Sequence, residues 1–300
     1  MSAGRIGRFM RRRYRAVPGD VPRTLLGMRP SVAVLGVGAM GEAIVRGLLS
    51  AGWESDELTA AVRRETRLHD IETRIGVECH LDSNDAVEGR SVIVVAVKPR
   101  DVPHLLDRVA KTITTEQVVI SLAAGVPISL FEEKLSNVPV VRAMPNTPSL
   151  VREGVTAIAG GHHVTEDHLA RARRVLEAVG QVEVMDESLI DAVTAVSGSG
   201  PAYIFLLAEA LEEAAVREGL PRDIAEALVH QTVRGAGHLL TDTPVKSAEL
   251  RAQVTSPGGT TAAAIHILEE RGFRAVIEDA VRAAAQRSRE LGTLAQEDKS

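Results

Sequence analysis

Three shortages in this sequence each exclude something. Its 300 residues contain one cysteine, Cys79. A lone thiol excludes an intrachain disulfide and a cysteine-based zinc site, and it reads as a small buried side chain. Aromatic residues are only 2% of the chain. A core so poor in rings must be filled by Ala, Val, Leu and Ile, which favours parallel strands and Ala-rich helices over an aromatic-rich β-sandwich. No apolar run approaches the ~20 residues of a membrane helix, and no secretory apolar region follows the N-terminal arginines. The expectation is a cytoplasmic protein without a membrane partner.

Acidic residues are scarce in one place only. Residues 1–29 carry eight Arg against Asp20 alone, a net +7, so the −5 of the whole chain leaves −12 on the rest. An acidic body argues against a nucleic-acid groove on the folded part. The basic stretch has three readings: a superficial match to an organelle transit peptide, a nucleic-acid-binding tail, or a disordered extension with Met28 as an alternative start. The third is favoured, because Met28 lies just before the first strand. The remainder, in a chain 45% hydrophobic and 25% charged, has the balance of a globular protein long enough for two domains.

Residues 31–36 (SVAVLG) form a continuous apolar run ending in glycine, as in a strand buried on both faces. A helix at 39–51 follows, then a strand at 57–62, a helix at 64–74 and a short strand near 77–80. Further strands are expected at 92–97, 118–122, 138–144, 155–160 and 181–185, with a helix at 165–179. Alternation of this kind implies a parallel, doubly wound sheet with right-handed crossovers. After Asp186 strand signals vanish, and residues 189–220, 222–240, 248–255, 260–271 and 273–291 read as helices. The fold class is α/β: an N-terminal Rossmann-type doubly wound parallel sheet followed by an all-α C-terminal domain. The expected division is an extension (1–29), a dinucleotide-binding domain (30–187), a helical domain (188–292) and a tail (293–300).

Gly36-Val37-Gly38-Ala39-Met40-Gly41 closes the first strand and opens the first helix, the context in which G-x-G-x-x-G binds a dinucleotide. Gly36 permits the tight turn, Gly38 lets backbone approach the pyrophosphate, and Gly41 lets helix and strand pack closely. The phosphates then meet free N–H groups at a helix N-terminus. The second strand ends Ala61-Val62-Arg63-Arg64, with two arginines where an NAD enzyme places an acid for the ribose 2′-OH. Guanidinium groups suit a 2′-phosphate, so the cofactor reads as NADP, with NADH possible. Ala96-Val97-Lys98-Pro99 and Ala123-Ala124-Gly125 stand at strand ends where ligands bind in this fold. Their small residues leave room for ribose and nicotinamide, and Lys98 is either a ribose or phosphate contact or a solvated lysine. Met144-Pro145-Asn146-Thr147-Pro148 reads as a rigid loop edging the same cleft.

In the helical part, Ser197-Gly198-Ser199-Gly200-Pro201-Ala202-Tyr203 opens a long helix. Thr255-Ser256-Pro257-Gly258-Gly259-Thr260-Thr261 stands directly before another. Two glycines followed by two threonines at a helix start expose N–H donors and hydroxyls suited to a carboxylate, although an ordinary cap has the same look.

Taken together, GVGAMG (36–41), AVKP (96–99), AAGV (123–126), MPNTP (144–148), SGSGPAY (197–203) and VTSPGGTT (254–261) resemble the pyrroline-5-carboxylate reductases, over residues 31–291. The resemblance implies NAD(P)H-dependent reduction of 1-pyrroline-5-carboxylate to L-proline. It implies that Ser256, Gly258, Gly259 and Thr260 hold the substrate carboxylate and that Thr261 hydrogen-bonds the ring nitrogen as the catalytic hydroxyl. It also implies a homodimer through the helical domains, assembled into a larger ring. The family places an Asn against the cofactor ribose-phosphate; here Asp82-Ser83-Asn84-Asp85 is one residue out of step, and Asn84 is assigned that role.

Three rivals are weaker. A 3-hydroxyacid dehydrogenase places a catalytic Lys on the long interdomain helix, and PAYIFLLAEALEEAAV (201–216) has none. A deazaflavin-dependent NADP reductase has no evident use for SPGGTT, and a non-enzymatic dinucleotide-sensing regulator need not keep it.

Overall fold

The computed structural model describes residues 29–297, with side chains through residue 292. The basic stretch before residue 29, and residues 298–300 of the expected tail, lie outside the described residues.

Four strands, β1 (Val32–Leu35), β2 (Leu58–Ala61), β4 (Val92–Val95) and β5 (Val118–Ser121), are buried at every position. Burial on both faces is why their sequences are continuous apolar runs and not alternating ones. With β3 (Glu78–His80), β6 (Val140–Met144), β7 (Gly154–Gly160) and β8 (Gly180–Val184) they form one sheet in the order β3-β2-β1-β4-β5-β6-β7-β8. Alternate residues feed two cores. Val32, Val34, Val92 and Val94 pack with Ile44 and Leu48 of α1 (Ala39–Ser50), Ile71 of α2 (Glu65–Arg74) and Val175 of α6 (Glu166–Leu176). On the opposite face Ala33, Leu35, Ile93 and Val95 pack with α3 (Ser83–Val87), α4 (Val102–Val109) and α5 (Ile128–Lys134). The strand order reverses between β1 and β4, so a crevice for ligand lies at their carboxyl ends.

Two expectations about this half need correction. The sheet is not wholly parallel, because β7 runs antiparallel to β6. Only residues 145–153 connect the two strands, fewer than a parallel crossover needs. The helices α3, α4 and α5 escaped the pattern reading because they are short. Cys79 is buried on β3 as expected, and burial pushes its thiol up to about 11, which leaves it inert.

Beyond β8 the described chain is helical: α7 (Ile190–Val193), α8 (Gly200–Arg217), α9 (Arg222–Asp242), α10 (Ser247–Gln253), α11 (Thr260–Glu270) and α12 (Phe273–Glu297). The helix expected over 189–220 is broken by a π-helical turn at Thr194–Gly198. The reason is local: Ser197, Gly198, Ser199 and Gly200 are weak helix formers, and Pro201 brings no N–H. The Thr194 and Ser197 hydroxyls donate instead to the carbonyls of Ile190 and Val193. The last helix also runs past the expected end at 291, since 293–297 contain no proline or glycine. It returns to the sheet domain, where Gly125 stands against Leu291 and Gly292, and on the way Ser288 Oγ donates to Asp191 Oδ1 of α7 at 2.6 Å.

This half builds almost no core of its own. α8, α10 and α11 bury no residue, while Phe205, Leu206, Leu228, Leu240 and Val276 are exposed. The expectation that no stretch matches a membrane span is also corrected. The helical stretch Glu187–Arg217 is long and apolar enough by length and composition.

Candidate active site

The glycine turn explains its own sequence. Gly36 has φ +95°, a left-handed conformation that side chains disfavour, and a Cβ there would stand 2.7 Å from Val97 Cγ1. A Cβ on Gly41 would stand 2.2 Å from the Gly36 carbonyl oxygen, so α1 approaches β1 only if position 41 is bare. Around Gly38 nothing lies within 4 Å of where a Cβ would be. Gly38 is the N-cap of α1 and no side chain caps that end, so the first N–H groups of α1, on Ala39, Met40 and Gly41, are left to a ligand. Open backbone donors, a positive dipole end and no Cβ in the way are what a pyrophosphate cradle requires.

The sheet gathers the other expected segments beside it. Gly36 N donates to Ala61 O, Ala96 N to Leu35 O and Leu122 N to Val95 O, at 2.8 to 2.9 Å, which binds the carboxyl ends of β2, β1, β4 and β5 into one edge. Residues 62–64, 96–99 and 123–125 leave from that edge. Arg63 is exposed and lies 3.3 Å from Asp101 Oδ2. Arg64 is the N-cap of α2, exposed, with no ion pair among the described residues. Lys98 is exposed at the start of a 3-10 turn over Pro99–Asp101, Val97 packs on Gly36, and Ala123 is buried. The loop after β6 becomes a 3-10 turn at Thr147–Val151, fixed where Val155 N donates to Asn146 Oδ1 at 2.9 Å.

Asn84 does not join this group. Its Nδ2 donates to Asp82 Oδ1 at 3.1 Å and its Oδ1 accepts from Thr112 Oγ1 at 2.6 Å. With Arg90, Ser91 and Gln117 it lines a cleft at the segments entering β4 and β5, the amino side of the sheet. The offset of one residue is the cause: one helical step turns a side chain by about 100°, and Ser83 takes the buried face of α3 instead.

One functional candidate escaped the sequence reading. Arg67, in the first turns of α2, donates from Nε and Nη2 to the Val37 carbonyl at 3.2 and 3.1 Å, inside the glycine turn. It is also bonded to Glu42 and Asp70. Burial opposes the charge on Glu42, but hydrogen bonds from Arg67 and Arg46 outweigh it and hold that carboxyl below the usual range. Nothing in the spacing of residues 36–67 signals the contact, which depends on the β1–β2 pairing.

The second half of the site is the entry to α11. Gly258 has φ +70° and Gly259 is the N-cap, again with no side-chain cap. Gly259 N donates to Ser256 O at 3.0 Å, and a Cβ on Gly259 would stand 2.3 Å from Ser256 Oγ, so the serine hydroxyl is folded over the bare helix end. The hydroxyls of Ser256, Thr260 and Thr261 make no hydrogen bond among the described residues, and Thr261 is half-buried. No hydrogen bond or ion pair among the described residues joins the loop 255–261 to the strand-bearing half.

Comparison with known proteins finds matches to both halves of the chain. Residues 187–291 match the family model "Pyrroline-5-carboxylate reductase dimerisation". Residues 31–125 match "NADP oxidoreductase coenzyme F420-dependent", a match confined to the dinucleotide half. A pyrroline-5-carboxylate reductase of Mycobacterium tuberculosis is 43% identical over 87% of this chain and 96% of its own length. The solved structure of a pyrroline-5-carboxylate reductase from Coxiella burnetii superposes with a TM-score of 0.84 at 38% identity, over 88% of this chain and 99% of that one. The Plasmodium falciparum enzyme, solved with NADP bound, has a TM-score of 0.78 at 28% identity, over 88% and 98%. By sequence over most of its length and by architecture, this chain belongs to the pyrroline-5-carboxylate reductase family.

Proposed function

We propose that this chain reduces 1-pyrroline-5-carboxylate to L-proline with NADPH, the last step of proline biosynthesis. One observation carries the reading: α1 and α11 each begin at a glycine N-cap with no side-chain cap, which leaves their first N–H groups bare. One, at 36–41, is shaped for a pyrophosphate, and the other, at 256–261, carries three free hydroxyls and fits a small carboxylate. In this reading residues 30–187 hold the cofactor and 188–292 hold the substrate and the dimer contact.

When bound, the reduced nicotinamide supplies the hydride. The chain supplies orientation and electrostatics. Open N–H groups of α1 hold the pyrophosphate, Arg63 and Arg64 stand where a 2′-phosphate would lie, and Ala96, Val97, Lys98, Pro99, Ala123 and Ala124 border the space beyond. Backbone N–H groups at Gly258, Gly259 and Thr260, with the Ser256 hydroxyl, take the carboxylate. The Thr261 hydroxyl faces the ring nitrogen, whose proton comes from solvent or arrives with the protonated imine, and the imine carbon gains the hydride. No acid–base side chain stands in the loop 255–261, and a cyclic imine, electrophilic once protonated, requires none. Fixing both reactants in line supplies up to roughly 7–11 kcal/mol of the barrier, and aligned donors add to it.

The exposed apolar side chains of α8, α9 and α12 support a homodimer in which a second copy covers them. They support this better than a membrane span, because Asp191, Glu209, Glu212 and Glu213 interrupt the Glu187–Arg217 stretch. Since the loop 255–261 has no hydrogen bond or ion pair to the strand-bearing half among the described residues, the dimer is also the means by which a nucleotide site meets a substrate loop. Further assembly into a ring, and a cytoplasmic location without nucleic-acid or membrane partners, complete the reading. The test is a substrate panel: NADPH oxidation followed spectrophotometrically with pyrroline-5-carboxylate, 3-hydroxy acids and keto acids. Turnover confined to the imine is expected, and preference for either control class would overturn the proposal.

A further inference from the structure

Arg67 is not among the expected cofactor residues, yet it grips a peptide group inside the glycine turn. Its Nε and Nη2 both donate to the Val37 carbonyl, at 3.2 and 3.1 Å. The peptide joining Val37 to Gly38 is trans, as all are among the described residues. In a trans peptide the carbonyl and the N–H point in opposite directions. A carbonyl drawn toward α2 therefore turns the Gly38 N–H the other way, and Gly38 is exposed with open space around it. Glycine tolerates either sign of φ, so this peptide is free to flip at small cost unless something holds it. Flipped, it would aim a carbonyl oxygen at the phosphates.

The guanidinium is itself held. Glu42, in the first turn of α1, and Asp70, one turn further along α2, take its other N–H groups. Arg74 pairs with both acids and Arg46 with Glu42, so the carboxylate nearest the phosphate end is surrounded by cations.

We propose that Arg67 is a positioning residue for the dinucleotide: by holding the Val37 carbonyl it keeps the Gly38 N–H turned toward the pyrophosphate. The inference rests on the reading of 36–41 as the cofactor cradle, and not on the identity of the imine. Arg67 therefore acts on a part of the cofactor that NADPH and NADH share, unlike Arg63 and Arg64.

The test is direct titration of the full-length chain with NADPH and with NADH, in the absence of substrate, for the wild type, Arg67→Met, Arg67→Lys and Asp70→Asn. Arg67→Met is expected to weaken both dinucleotides alike by roughly tenfold or more, the scale of one lost charge-assisted hydrogen bond. Arg67→Lys, which keeps one donor group, should recover part of that loss. Asp70→Asn breaks the same surface network but leaves the carbonyl contact, so it should lower the melting temperature while binding both dinucleotides as the wild type does. At saturating NADPH, Arg67→Met should keep its KM for the imine.

Wild-type affinity in Arg67→Met would overturn the proposal. A loss confined to NADPH would also overturn it, by showing direct contact with the 2′-phosphate. So would an equal loss in Asp70→Asn, which would make the network merely structural. Should Arg67→Met fail to fold, Arg67→Lys decides by the same readout: a loss shared by both dinucleotides supports the proposal, and wild-type binding overturns it. A wild-type chain that binds NADPH but leaves the imine unreduced sinks the substrate reading and leaves this comparison intact. One that binds neither dinucleotide sinks both.

Discussion

Thr261 and Ser256 illustrate what a single hydroxyl can do at a bare helix end. Neither has a hydrogen-bond partner among the described residues, but they stand at different places, Ser256 folded over Gly259 and Thr261 within the first turn of α11. Thr261→Val keeps the shape and removes the hydrogen bond. If the hydroxyl engages the imine nitrogen during hydride transfer, turnover falls while the KM for the imine changes little. Ser256→Ala should raise that KM first, because its hydroxyl serves the carboxylate. A helix cap predicts otherwise: Thr261→Val would then cost about 0.5–2 kcal/mol of stability and leave turnover intact, so melting temperature and turnover measured on one sample separate the two. At the other end of the site, Arg63→Ala with Arg64→Ala should raise the KM for NADPH on the order of ten- to a hundredfold, as a lost phosphate contact would, and spare NADH. Equal effects on both cofactors would remove these arginines from the 2′-phosphate site. Their partial engagement sets the scale, since Arg63 already lies near Asp101 and Arg64 has no ion pair among the described residues.

The elements around the glycine turn show which parts of the site a sequence can carry. A strand buried on both faces, a G-x-G-x-x-G at its end and a helix after it form a local pattern. The geometry found at Gly36 and Gly41 has causes that lie within six residues, apart from the approach of Val97. Gly41→Ala should therefore disable the cofactor site and destabilise the fold together, because its Cβ would overlap the Gly36 carbonyl oxygen at 2.2 Å. A melting temperature and NADPH affinity both at wild-type level would show that α1 shifts to accommodate it. What the sequence did not disclose depends on contacts between elements or on single-residue phase. Arg67 reaches Val37 only because β2 lies beside β1. Asn84 carries the expected residue type one helical step from the expected position, and so faces Thr112 instead. The antiparallel β7 follows from a connection too short to cross over, a length that could have been counted. The break at Thr194–Gly198 was written in the Ser/Gly run before Pro201, but it was submerged in a strongly helical stretch.

At the scale of the whole molecule the two halves solve different problems. The strand-bearing half has two continuous cores, one of them completed by Ile190 of α7, whereas the helical half exposes large apolar side chains along α8, α9 and α12. Such surface is stable only when another surface covers it. Placing a charge there, as in Phe205→Glu with Leu228→Glu, should shift the protein from dimer to monomer in solution. It should abolish turnover while leaving NADPH binding to the strand-bearing half within about threefold of wild type, since distant sites behave independently. A dimer that survives the pair of charges would place the interface elsewhere. The central claim joins both halves in one reaction, and one measurement meets it most directly: NADPH consumed and L-proline formed, followed in the same reaction with pyrroline-5-carboxylate as the only substrate. The account predicts equal amounts of the two throughout the time course. NADPH oxidation without proline, or no oxidation by a folded dimer that binds NADPH, would contradict it.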